Sequence, residues 1–592
     1  MSETALWKLA PGTPEPAELA AAWSRVIASA LDAARAGLKP PTSTAFDPTA
    51  PARAFAEFTT QMWTDPAGVL RAAQAASGEW LDFWTRAAQA AAGGKVEPII
   101  EPERGDRRFK DPSWSEQPVF DYLKQAYLLA SRQANELVRN AEGVDEPTRT
   151  RAAFFTQAYL DALSPANFAF TNPEAIRRAI ETGSISLLSG LANLLADAAT
   201  EARLPQRRTN AEFELGKDLA ATPGSVVFQN ELMQLIQYSP TTETVWKRPL
   251  LYVPPLVNKY YLLDLQPKSS LIRWLVEQGH TLFVISWINP GPDLADRGMA
   301  DYLELGPVAA LNAIERATGE KEADIFGFCM GGTLAGIAAA MLASRGRGDR
   351  IASLTTIGSM FDFSNMGQWA TFAEPAQVEA MEKHLEVQGI LSAHELQALF
   401  SVVRANDLIW SSVVSHYLLD REAPPSDILH WFADGAHMPR AFLLDWVNQI
   451  LRDNRLIRAG ALDLGGDRID LGRIGGRSMV ISLKDDHVSA WQATYAGAQL
   501  LGGETRFLLG GTGHNAGVIN PPSANKHGYW TNAEMPEDPE AWLAAATRHE
   551  GSWWPEWQAW LSKGGKRVPA RIAGKGKLKA IEPAPGSYVR MR

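Results

Sequence analysis

Cys329 is the only cysteine in the 592-residue chain, and it stands between two glycines in Gly327-Phe328-Cys329-Met330-Gly331. A thiol placed at such a turn can attack an acyl carbon, provided a base takes its proton. An unperturbed thiol, with a pKa of about 8.5, is largely protonated near neutrality. Downstream residues offer the base and a carboxylate to orient it. "SMVISLKDDHVSAW" brings Asp485, Asp486 and His487 to the end of an apolar run, and "TRFLLGGTGHNAGVINPP" brings His514 to the end of the next. His384, His394 and His416 lie in helical stretches and are expected to be packing or surface residues. The alternative for Cys329 is a buried, inert thiol acting as a small hydrophobe. A turn between two glycines argues against it, because the side chain there points outward. One cysteine forms neither an intramolecular disulfide nor a metal-ligand pair.

The elements that would position these residues alternate between strand and helix. "RPLLYVPPLV" reads as a buried strand and "SSLIRWLVEQ" as a helix; "TLFVISW" and "DYLELGPVAALNAIERAT" repeat the pair. "ADIFGFC" and "LAGIAAAMLAS" repeat it again, and "IASLTTIGSM", "RSMVISL" and "TRFLLG" add strands. This rhythm predicts parallel βαβ units with right-handed crossovers. A strand that ends in G-x-nucleophile-x-G and runs into a helix is the nucleophile elbow of α/β-hydrolases, whose further order is Asp or Glu and then His. The amide of Met330, at the start of that helix, is then expected to point at the same spot as the nucleophile and stabilise an oxyanion. Periodicity leaves Asp485 and Asp486 open as the acid. Residues from about 362 to 445 break the rhythm with helical, aromatic and acidic segments, predicting a cap inserted over the site.

The first 205 residues are alanine-rich and carry helical periodicity in "PAELAAAWSRVIASALDAARAGL" and "PVFDYLKQAYLLASRQANELVRNA". They predict a mostly α-helical domain, followed by an α/β-hydrolase domain over 206–592. The charged, weakly periodic stretch "EARLPQRRTNAEFELGKDLAATPGS" fits a boundary. From Ser562 to Arg592 there are nine basic residues and one acidic one, among several Gly and Pro, predicting a loosely ordered, solvated tail. Twenty tryptophans, several of them in "GSWWPEWQAWL", are expected mainly in cores, with an apolar docking surface as the alternative. A net charge of −10 and a pI near 5.6 speak against nucleic acid as a partner. The opening "MSETALWKLAPGTPEP" has no signal-peptide pattern. "ISLLSGLANLLADAAT" is too short and polar for a membrane span, which needs about 18 apolar residues or more. A soluble intracellular protein is the expectation.

Together "PPLVNKYYLLDLQP", "GFCMGGT", "DDHVSAW", "GHNAGVINPP" and "GSWWPEWQAWL" resemble a class I polyhydroxyalkanoate synthase, from roughly residue 200 to the C-terminus. The resemblance implies polymerisation of (R)-3-hydroxyacyl-CoA, with 3-hydroxybutyryl-CoA as the expected monomer donor, into a polyester with release of CoA. It implies a Cys329–His514–Asp486 triad, the acid being the residue just before His487. It also implies Val257 as a second oxyanion donor and Asn258, in the same loop, as a substrate contact. His487 is expected to line the CoA entrance or to make a structural hydrogen bond, and Arg404 to supply a local cation for anionic CoA. No cofactor is implied beyond the CoA thioester, which is substrate. A homodimer formed through the cap and a cytoplasmic location on polyester granules among granule surface proteins are further expectations, with the helical domain serving granule association. The competing readings are a hydrolytic thioesterase or esterase of the same fold, and a non-catalytic granule-coating protein.

Overall fold

The computed structural model describes residues 14–36, 45–94, 96–200, 205 and 213–592. The opening residues "MSETALWKLAPGT" and the expected boundary at 205/206 lie outside or at the edge of the described residues. The chain divides into two compact units, one within Met1–Ala211 and Gln397–Pro425, the other within Glu212–Leu396 and Ser426–Arg592. The segment 397–425, expected to belong to the cap of the catalytic domain, therefore groups with the helical unit. The reason is specific packing that periodicity does not reveal. Asn193 Nδ2 donates to the carbonyl of His416 at 3.1 Å, and Tyr417 Oη donates to Asp197 at 2.8 Å. Gly190 lies so close that a Cβ there would stand 1.8 Å from the carbonyl oxygen of Tyr417.

The helical unit contains the two expected long helices, Pro16–Ala36 and Pro118–Asn140, with further helices at Pro66–Ala91, Glu146–Ala162 and Ile185–Ala198 among others. Helix starts are chemically marked. Asp65 and Asp145 each accept a backbone N–H of the first turn, and a proline follows each cap. Among the described residues no single helix is long and apolar enough to cross a membrane. Pro173–Glu181 and Ile185–Ala198 pass that test only as a pair, across a bend of 111°.

The second unit has an α/β-hydrolase fold built on one eleven-stranded sheet. In chain order its strands are β1 (Gly224–Gln229), β2 (Met233–Tyr238), β3 (Leu250–Val253), β4 (Leu282–Trp287), β5 (Ala323–Phe328), β6 (Ile351–Ile357), β7 (Arg477–Leu483), β8 (Glu504–Gly510), β9 (Tyr529–Thr531), β10 (Thr547–His549) and β11 (Glu582–Pro583). Their spatial order is β11-β1-β2-β4-β3-β5-β6-β7-β8-β9-β10. From β4 to β8 all neighbours are parallel, and β1, β2, β9, β10 and β11 join antiparallel. β3 and β5 are buried along their whole length, because both faces of a parallel sheet are covered; β3 is accordingly apolar throughout, and the one charged residue of β5, Asp324, accepts from Ser353 Oγ at 2.6 Å.

Three features differ from the sequence expectation. The strand pair β1–β2 precedes the first strand that was expected; Gln234 and Gln237 in β2 are buried yet polar, which masks the strand pattern. The helix expected over "DYLELGPVAALNAIERAT" is interrupted between Met299–Leu303 and Ala309–Thr318, where Pro307 has no N–H to give and Gly306 leaves the helical region. The tail from Ser562 is ordered rather than loose. β11 covers the edge of β1, Arg567–Pro569 pairs with Thr244–Trp246, and the amides of Ser587 and Tyr588 donate to Gln234 Oε1. A basic, Gly- and Pro-rich segment can still supply backbone to an exposed sheet edge, and composition gives no sign of it.

Candidate active site

β5 delivers Cys329 into a tight turn. Cys329 has φ 53° and ψ −133°, a conformation that costs a non-glycine residue on the order of 1–3 kcal/mol. The flanking glycines make the turn sterically possible. A Cβ on Gly327 would meet the carbonyl oxygen of Gly331 at 2.4 Å, and one on Gly331 would meet that of Val253 at 2.2 Å. The Cys329 amide donates to the carbonyl of Ile357 in β6 at 2.8 Å, tying the turn to the sheet. The helix that follows, Met330–Ser344, is packed through small residues: Gly336 meets the ring of Phe361, and Thr333 Oγ1 donates to the carbonyl of Met360. Met330 is its first residue, so its N–H has no intrahelical acceptor.

The loops after β7 and β8 bring two residues to this turn. Asp486 Oδ2 lies 2.6 Å from Nδ1 of His514, and the carboxylate side chain is fully shielded from solvent. Its other oxygen accepts the amides of Val488 at 2.8 Å and Ser489 at 2.9 Å, which fixes the carboxylate plane. Asp485, its neighbour, is exposed, so of the two carboxylates that periodicity leaves open it is Asp486 that faces His514. His514 begins the short helix His514–Val518 and packs its ring 4.7 Å from that of Phe328, the residue before Cys329. Burial alone disfavours a charged ring. The Asp486 carboxylate and the Cys329 sulfur outweigh it, so the His514 pKa is pushed up from 6.5 to about 10.

A supporting layer was not legible in the sequence. Ser489 Oγ donates to the carbonyl of Gly358, which has a positive φ of 55° and where a Cβ would stand 3.2 Å from the His514 ring. Trp553 and Trp554 donate their indole N–H groups to the carbonyls of Gly517 and Val518, clamping the end of the helix that carries His514. The doublet in "GSWWPEW" was the available signal, but nothing in one dimension says what it packs against.

Comparison with known proteins agrees with this architecture. Residues 105–275 match the family described as poly-beta-hydroxybutyrate polymerase (PhaC) N-terminus, and residues 249–521 match the alpha/beta hydrolase fold. The poly(3-hydroxyalkanoate) polymerase of Methylorubrum extorquens is 41% identical over 532 residues, 89% of this chain and 88% of that one. The poly(3-hydroxyalkanoate) polymerase subunit PhaC of Cupriavidus necator is 41% identical over 511 residues, 85% and 86% of the two chains. The corresponding subunit of Rhizobium meliloti is 40% identical over 533 residues, 89% and 87%. The chain belongs to the poly(3-hydroxyalkanoate) polymerase family.

Of the remaining residues implied by resemblance to that polymerase family, two lie in the loop after β3. Val257 is half-buried and its carbonyl accepts from Ala436 N at 3.3 Å; Asn258 Nδ2 donates to the carbonyl of Trp431 at 3.4 Å. Asn258 is thus engaged with the chain itself. His487 follows Asp486 directly and is half-exposed. Arg404 belongs to the helical unit, where it is exposed and ion-paired with Asp407.

Proposed function

We propose that this polymerase elongates a polyester from (R)-3-hydroxyacyl-CoA, 3-hydroxybutyryl-CoA foremost, through an acyl group carried on Cys329. The observation that supports the reading is the buried His514–Asp486 pair, 2.6 Å apart, with a His514 pKa raised by both Asp486 and Cys329. A ring so ready to hold a proton takes one from the thiol, leaving a thiolate. The thiolate attacks the thioester carbonyl, and the charge that develops on oxygen meets the Met330 amide and the Val257 amide. The C–S bond to CoA breaks, and His514 returns its proton to the departing sulfur. Exchange of one thioester for another preserves the activation of the acyl group. The 3-hydroxyl of the next unit then gives its proton to His514, with Asp486 holding the ring, and attacks the acyl carbon; the C–S bond to Cys329 breaks, the ester forms, and Cys329 departs as the thiolate beside the protonated ring. His487 is proposed to meet the CoA moiety.

The helical unit is proposed to meet the polyester. Support comes from its exposed large apolar side chains, among them Trp23, Trp63, Leu70, Leu81, Trp84 and Phe170. A homodimer and a place on cytoplasmic granules belong to the same proposal.

The test supplies purified enzyme with 3-hydroxybutyryl-CoA and measures CoA release together with the acyl product. Polymer is expected; free 3-hydroxybutyrate as the sole product would mean a thioesterase. Cys329→Ala is expected to abolish both signals, and Cys329→Ser to keep at most a small fraction. Substantial turnover by Cys329→Ala would overturn the mechanism.

A further inference from the structure

The segment Trp431–His437 is joined to the loop after β3 through Trp431, Asp434, Gly435 and Ala436. Trp431 Nε1 donates to the carbonyl of Lys259 at 2.8 Å, and Asn258 Nδ2 donates back to the carbonyl of Trp431. Asn258 and Gly435 form an isolated antiparallel bridge, Ala436 N donates to the carbonyl of Val257, and His437 N donates to Asn289 Oδ1 at 2.7 Å. At the centre is an ion pair taken out of solvent: Lys259 Nζ lies 2.6 Å from Asp434 Oδ1, with the two side chains only 6% and 16% exposed. Tyr261 Oη donates to the other carboxylate oxygen at 2.7 Å. Asp434 is placed for this by the end of the helix Asp427–Ala433, which it terminates.

A buried ion pair is a poor way to gain stability, since desolvation of two charges offsets much of their attraction. Burial alone lowers the Lys259 pKa, and Asp434 acts against that. What such a pair supplies is geometry: a charge with one low-energy partner allows one arrangement of the two backbones that carry it. The backbone so fixed is the one that runs from Pro254 past Val257. Its first residues abut the nucleophile turn: Gly331 leaves no room for a Cβ against Val253 and Pro254, and Trp287 Nε1 donates to the carbonyl of Pro254 at 3.0 Å.

We propose that Lys259 and Asp434 are positioning residues, whose buried ion pair, completed by Tyr261, locks Trp431–His437 onto the loop and holds the Val257 amide in register with Cys329. This rests on the acyl-cysteine reading above. Neither side chain touches the reacting atoms; each acts through the backbone. Displacing an oxyanion donor by about 1 Å is expected to cost on the order of 10²-fold in turnover. Alkylation of a thiolate by iodoacetamide develops no oxyanion and does not need that donor.

The experiment compares full-length Lys259→Met/Asp434→Asn, Lys259→Arg and Tyr261→Phe with the wild type. It measures kcat and KM for 3-hydroxybutyryl-CoA, the rate of Cys329 alkylation by iodoacetamide, and the melting temperature. The neutral double variant is expected to lower kcat about 10²-fold while KM changes by less than about threefold and alkylation keeps its rate. Lys259→Arg is expected to recover most of kcat. Tyr261→Phe, which leaves the ion pair in place and serves if the double variant does not fold, is expected to lower kcat several-fold with the same unchanged alkylation. Unchanged kcat in a folded double variant, or in Tyr261→Phe if the double variant does not fold, overturns the proposal. So does a loss of alkylation equal to the loss of kcat, which would mean collapse of the whole site. Failure of the underlying reading looks different: turnover would then persist in Cys329→Ala or survive complete alkylation.

Discussion

In the α/β unit Trp553, Trp554 and Trp557 are wholly buried, and two of their indoles hold the carbonyls of the helix that carries His514. In the helical unit Trp23, Trp63 and Trp84 keep 49%, 58% and 63% of their surface in solvent. The same residue type therefore serves two ends. In one unit aromatic surface is consumed internally, against the helix that carries His514. In the other it is left outward, as an exposed apolar surface must be if it is to meet an apolar partner. Composition counted twenty tryptophans without separating these uses.

The sharpest way to break the contrast is within the site itself. Asp486→Asn is expected to lower polymerising turnover by as much as about 10⁴-fold, since loss of the orienting carboxylate of a comparable triad costs that much. Asp485→Asn, altering an exposed neighbour, is expected to keep most activity. Matched kinetics on the two variants decide the acid, and the reverse ranking would move it to Asp485.

Core and surface aromatics differ next in stability. Trp557→Ala removes a fully buried ring and strands Thr355 Oγ1, which now accepts its indole N–H at 3.0 Å. It is expected to cost about 3–5 kcal/mol in denaturant unfolding of the α/β unit, with activity lost in proportion to unfolded protein.

Protonation of His514 gives a smaller, pH-resolved effect. Its pKa is raised on folding from 6.5 to about 10, so the protonated ring adds stability in full below about pH 6.5, and that stability is lost as pH rises through 10. The stability difference between the wild type and His514→Gln is therefore expected to shrink steadily from pH 6.5 to pH 10 in denaturation series. A difference that widens over that range would contradict the site's electrostatics.

The smallest expected effect on stability lies in the helical unit. Trp63→Ala is expected to change unfolding free energy by less than about 0.5 kcal/mol. Adsorption of the protein to polyester particles in a sedimentation assay is nonetheless expected to weaken. Unimpaired adsorption by Trp63→Ala combined with Trp84→Ala would remove the helical unit's exposed aromatics from the proposed polyester contact.

Much was local and therefore legible. A glycine on each side of Cys329, an apolar run before it and a small-residue helix after it dictate a turn that pushes one side chain outward, because no other backbone path fits. The strand-to-helix alternation fixed the parallel sheet, and the chain order of cysteine, aspartate and histidine matched the order in which such a sheet presents its loops. What remained was decided by contacts between residues far apart in sequence. Asp485 and Asp486 are chemically equal in one dimension, and only the fold of the loop, with two backbone amides on one carboxylate oxygen and His514 on the other, separates them. Segment 397–425 has the periodicity of a cap helix, yet its packing against Gly190, Asn193 and Asp197 assigns it to the other unit. The basic tail supplies an edge strand because the open side of β1 needs hydrogen-bond partners, a demand made by the sheet and absent from the tail's own composition. Lys259 and Asp434, 175 positions apart, become a pair only when the loop after β3 and the end of a cap helix are folded onto each other.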